Sequence, residues 1–88
     1  MYSSIVQAVQ AHAQRTPNHL AVADAERVYT YQELAIAASQ AAKVLREIGV
    51  EEKDAVLVEC TQKASFLILD LACEQIGAVF IPLERKMT

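Results

Sequence analysis

The sequence predicts an α/β fold in the order helix, β-hairpin, helix and parallel β-α-β unit. Three features carry this reading. Runs in which apolar residues recur every three or four positions alternate with short β-branched runs. Gly49 and Gly77 each stand where a helical run stops, as left-handed C-terminal glycines do. The last two β-rich runs flank one helical run, so a crossover would leave their strands parallel.

The elements follow in chain order. Ser4 and Gln7 have the S-x-x-Q spacing of a capping box. A helix is expected from there, with Ile5, Val9 and Ala13 as its apolar stripe and Pro17 and Asn18 as its stop. LAVADAERVYT reads as strands Leu20 to Ala23 and Arg27 to Thr30 around a polar turn at Asp24 to Glu26. At Tyr31 the period changes. Leu34, Ala38, Ala41, Leu45 and Ile48 mark a long helix, and its alanines allow a neighbouring element to approach closely.

Thr30 and Glu33 form a second capping-box pattern, T-x-x-E, at the joint between hairpin and helix. This assigns the glutamate a structural task and not an acid-base one, with Tyr31 packed beneath the hairpin. Glu51 to Asp54 is a charged loop, read as solvated surface. Ala55 to Cys60 is a strand, Lys63 to Ile76 a helix, and Ala78 to Leu83 a strand containing Pro82. The helix is apolar around most of its circumference, and AVFIPL is nearly continuous in apolar residues. Such elements belong inside a larger protein, and only five others exist to cover them. The 88 residues therefore read as one piece without an internal boundary, the first part of a longer α/β protein.

Composition narrows the function. Hydrophobic residues make up 53%, above the ~45 to 50% usual for soluble domains. That surplus implies burial against something else, or self-association. The net charge of −3 comes from interspersed charges without a basic stripe, which argues against nucleic acid. There is no signal-peptide pattern, and FLILDLAC is far too short to span a bilayer. A cytoplasmic protein is expected. Cys60 and Cys73 lack metal-ligand spacing and read as small core residues.

Candidate chemistry is sparse. No Gly-rich phosphate loop is present, no acid stands from His12 or His19 at a spacing that suggests a relay, and Ser39 and Ser65 sit within helical patterns. No metal ligands suggest themselves. The nearest thing to a binding constellation is Arg85 with Lys86, just past the last strand, where a cation could meet a phosphate. Two solvated charges at a chain end is the plainer reading of the same pair.

The order of landmarks, RTPNHLAV, YTYQEL, LREIGV and CEQIGAVFIPLE, resembles the start of the AMP-forming adenylating enzymes. That superfamily contains acyl-CoA synthetases, peptide-synthetase adenylation domains and luciferases. Thr30 to Leu34 matches the motif L-[TS]-Y-x-E-L, with Tyr29 replacing the leading leucine. Ile76 to Leu83 matches K-A-G-x-x-x-x-P-L, with Gln75 and Ile76 replacing Lys and Ala. Lys53 stands where the family commonly has glycine.

The resemblance implies the first part of the large N-terminal domain of an adenylate-forming ligase, the remainder of that enzyme being the main partner. The intact enzyme would join a small carboxylic acid to AMP at the expense of Mg-ATP, release pyrophosphate and pass the acyl group to a thiol. FIPLERKMT looks more like P-L-N-P-R-x-[ST] of the acyl-CoA ligases than P-L-D-P-x-[YF]-P of peptide-synthetase domains, with Arg85 and Lys86 at the proline and arginine positions. This implies CoA as the thiol and Lys86, with Arg85, as contacts for its phosphate. The family's phosphate loop, magnesium site and catalytic lysine lie in later segments. No catalytic residue carries over, and the chain alone is expected to be inactive. A stand-alone interaction module, docking through exposed apolar surface, is the alternative outside the family.

Overall fold

A computed structural model describes residues 4–61 and 63–84. The elements are α1 (Ile5–Arg15), β1 (Leu20–Ala23), β2 (Val28–Thr30), α2 (Tyr31–Glu47), β3 (Ala55–Glu59), α3 (Ala64–Ile76) and β4 (Val79–Leu83). The expected order holds throughout. Differences are confined to ends: Arg27, Cys60, Lys63 and Ala78 fall just outside the strands and helix assigned to them, and Ile48, read as part of the long helix, is its exposed C-cap.

Local chemistry accounts for the starts of α1 and α2 and the stops of α2 and α3. The Ser4 hydroxyl accepts the Gln7 N–H at 3.1 Å and opens α1. β1 and β2 pair antiparallel with an irregularity between Leu20 and Val22, and Asp24 N–H donates to the Arg27 carbonyl at 3.0 Å to close their turn. α2 opens with a complete capping box: Glu33 N–H donates to Thr30 Oγ1 at 3.2 Å, and Thr30 N–H donates to Glu33 Oε1 at 2.9 Å. The Thr30 N–H is the main reason the Glu33 carboxyl titrates below its ordinary value.

Both long helices end in the same way. Gly49 at φ 101° and Gly77 at φ 76° let the chain reverse, with Val50 N–H bonded to the Leu45 carbonyl and Ala78 N–H to the Cys73 carbonyl, both at 2.9 Å. This is the Schellman pattern, in which a residue past the glycine satisfies a carbonyl of the last turn. The charged loop is more than solvated surface. Its side chains are exposed. Its backbone, however, is tied to the end of α3 by Lys53 N–H on the Gly77 carbonyl at 2.8 Å and to β4 by Val79 N–H on the Asp54 carbonyl at 2.7 Å.

β3 and β4 are parallel, with Ala55 opposite Val79, Leu57 opposite Ile81 and Glu59 opposite Leu83. The helices cover one face only. Val56 and Phe80 pack on a core of Ala42, Leu45, Cys73 and Ile76. A second core joins Val9 of α1, Leu34 and Ala38 of α2 and Leu71 of α3. α2 thus lies at the centre, with Ala38 and Ala42 buried against its neighbours. The other sheet face is open: Leu57 and Val79 are 62% and 49% exposed, and Leu83 is exposed beside them. Part of the surplus apolar surface read from the sequence therefore lies on one face of this sheet.

Candidate functional site

The carboxyl ends of β3 and β4 meet at one edge, the position at which open α/β sheets collect ligands. Cys60 N–H bonds the Leu83 carbonyl at 2.8 Å, so the strands finish level, and α3 begins three residues after Thr61 at the same edge. Glu59, Lys63 and Glu84 are exposed there, and Cys60 is half-buried. Arg85 and Lys86, the residues assigned a phosphate contact, lie outside the described residues.

Lys63 was not singled out by the sequence, because a lysine before a helix carries no pattern of its own. Its ammonium lies 2.9 Å from Glu26 Oε1, and that hydrogen bond raises its pKa above the ordinary lysine value. This exposed ion pair runs from the hairpin turn to this edge. Asp24 was also missed. It was read only as part of a polar turn, and its contact with α3 spans forty positions, for which a sequence has no local signal.

The remaining candidates take structural places. His12 stacks on Tyr31 with ring centroids 4.7 Å apart, which joins α1 to the start of α2. The Tyr31 ring thus finds its aromatic partner on α1, and its backbone N–H donates to the His19 carbonyl at 3.0 Å. Ser39 and Ser65 are exposed on helices. Cys60 and Cys73 are free thiols. Cys73 is fully buried, and burial, with Asp70 nearby, raises its thiol pKa and keeps it protonated. Burial also raises the pKa of the Asp70 carboxyl, with the Glu74 charge adding to the shift.

Among the described residues no group of three His, Cys, Asp or Glu side chains converges to hold a metal ion, and no enclosed cavity opens between the elements. The side chains described do not compose a seat for magnesium or a nucleotide, so no chemical step is assigned to them. No helix among them is long and apolar enough to cross a membrane.

Comparison with known proteins places this geometry. The chain is 29% identical over 75 residues to gramicidin S synthase 2 of Brevibacillus brevis, covering 85% of the chain and 2% of that protein. It is 32% identical over 81 residues to the nonribosomal peptide synthetase tcpP of Claviceps purpurea, covering 92% of the chain and 4% of the synthetase. Among solved structures, the N-terminal subdomain of Klebsiella oxytoca NpsA superposes with a TM-score of 0.87 at 28% identity, over 99% of this chain and 23% of that one. The fatty acid AMP ligase of Legionella pneumophila shares the fold, with a TM-score of 0.83 at 23% identity, over the whole of this chain and 16% of the ligase. The chain thus spans a small part of each protein that it resembles. The family model described as AMP-binding enzyme matches residues 9–88, and the chain belongs to that family.

Proposed function

We propose that this chain is a scaffold portion of an adenylate-forming ligase, which activates a carboxylic acid with Mg-ATP and transfers the acyl group to a thiol. The observation that carries the reading is the family match over residues 9–88, together with a sheet whose second face lacks a covering layer. The chain supplies the hairpin, the capped helix α2 and the first parallel strands. The reacting groups would come from the rest of the enzyme, and the 88 residues alone would be inactive.

The relatives favour a peptide-synthetase adenylation domain, since the Claviceps purpurea protein is named a nonribosomal peptide synthetase. An adenylation domain fused to a peptidyl carrier domain, NpsA-ThdA, is also among the similar structures. The second reading, an acyl-CoA synthetase, rests on the ending P-L-E-R-K-M-T. On it, Lys86 with Arg85 contacts a phosphate of CoA.

The test is pyrophosphate exchange dependent on ATP and a panel of amino, aryl and fatty acids. The full-length protein should exchange with one class of acid, and the 88-residue chain with none. Exchange by the short chain would overturn the scaffold reading, and failure of the full-length protein with every acid would overturn the ligase. Lys86→Ala then tests the CoA contact: a raised KM for CoA with adenylation intact supports it, and no change in KM removes that contact.

A further inference from the structure

α3 starts without a cap of its own. Lys63, the residue before its first turn, is extended and offers no side-chain acceptor. A helix start leaves N–H groups unsatisfied and a partial positive charge, which together attract an anion. Here the Ala64 N–H donates at 2.7 Å to Asp24 Oδ2, from a residue forty positions earlier. The other oxygen, Oδ1, accepts from Glu26 N–H at 2.8 Å and Arg27 N–H at 2.9 Å in the hairpin turn. One carboxylate therefore satisfies three backbone donors on two elements.

We propose that Asp24 is a built-in anion for α3: its carboxylate fills the seat that a helix start otherwise offers to an external anion, and couples the hairpin turn to the carboxyl-end edge of β3 and β4. No phosphate of a ligand is seated at this helix start while Asp24 holds it. The order of the edge depends instead on the hairpin.

The charge carries the coupling. The Ala64 N–H is the largest cause of a lowered Asp24 pKa, followed by the N–H groups of Arg27 and Glu26. The titratable and charged groups around it are Glu26 and Arg27 on the turn and Lys63 at the start of α3. Lys63 is engaged by Glu26, and Arg27 is engaged by Glu33 and stacked over Tyr29. A carboxyl lowered in the folded state contributes stability that is present above its unfolded pKa and is lost as pH falls through the folded value. The Asp24 contribution is therefore present at neutral pH and lost in acid.

Hydrogen exchange read peptide by peptide on the full chain tests it, in wild type, Asp24→Ala and Asp24→Asn. In Asp24→Ala the first turn of α3 and the hairpin turn should both exchange about tenfold faster, the usual scale for a lost cap. Inorganic phosphate should slow the α3 turn again in this variant and leave wild type unchanged. Asparagine keeps one acceptor oxygen, so Asp24→Asn should release only one of the two turns, which keeps the test readable if the alanine variant unfolds. Glu26→Gln, which breaks only the exposed ion pair, should leave α3 unchanged. Unchanged exchange in α3 in Asp24→Ala would overturn the proposal, as would phosphate slowing wild type to the same degree or Glu26→Gln reproducing the loss.

Discussion

Lys53 holds φ at 72°, a left-handed conformation that costs a side chain with a Cβ ~1 to 2 kcal/mol. Its N–H reaches the Gly77 carbonyl, so the loop requires that geometry whatever residue stands there. Glycine would relieve the strain at the expense of backbone entropy, leaving a net gain of about 0.5 to 1 kcal/mol for Lys53→Gly, readable by chemical denaturation. Thr30 is the opposite case, a residue whose side chain already suits its place. Thr30→Ala removes the acceptor for Glu33 N–H and should cost ~0.5 to 2 kcal/mol while leaving in place the pyrophosphate exchange proposed for the full-length protein. Loss of exchange with unchanged stability would instead place Thr30 in the chemistry.

At the level of elements, α3 carries the conflict between local pattern and environment. Leu71, Ala72 and Cys73 are fully buried, and Phe66 meets Phe80 of β4 edge-on with centroids 5.2 Å apart. Asp70 sits among them half-buried, its pKa raised by desolvation first and by Glu74 second. A carboxyl raised in the folded state favours folding below its unfolded pKa and loses that advantage as pH climbs to the folded value. Asp70→Asn should therefore raise the unfolding midpoint at pH 7 and flatten its fall between acid and neutral pH. An unchanged pH profile would rule out Asp70 as the source. This sign is opposite to that of Asp24, so the two variants separate the contributions.

β4 contains Pro82 without losing a bond to its neighbour. The Leu83 carbonyl and the Val79 N–H both point toward β3, so by strand alternation the nitrogen of Pro82 points the other way. The outer edge of β4 therefore lacks a donor at that position, which discourages another strand from pairing in register there.

Across the whole molecule, covered and open faces set what a substitution costs. Leu71→Ala, in the core shared by α1, α2 and α3, falls in the range of about 2 to 5 kcal/mol typical of buried leucines. Leu57→Thr, on the open face, should change the stability of the 88-residue chain by no more than ~0.5 kcal/mol. If another layer packs on that face in a longer protein, the same substitution there should cost about 1.5 to 3 kcal/mol. Equal small losses in both would mean that the face stays in water.

Much of the fold was readable because it depends on short-range physics. Periodicity, the T-x-x-E box and two helix-ending glycines set the elements and their order, and the matched motifs brought the family with them. Arg85 and Lys86, the residues proposed for a phosphate, rest on their place just past the last strand and on sequence similarity. The choice of thiol was the weakest inference, because it rested on a few residues after β4, and the relatives point more to peptide synthetases than to acyl-CoA ligases.

Local pattern could specify each helix and strand, since caps, turns and apolar stripes act within a few residues. It could not say that α2 would lie between two cores, which face of the β3–β4 sheet would stay open, or that Asp24 would cap α3. Those outcomes belong to the tertiary structure, because they depend on which distant groups meet, and that is settled by packing the elements together.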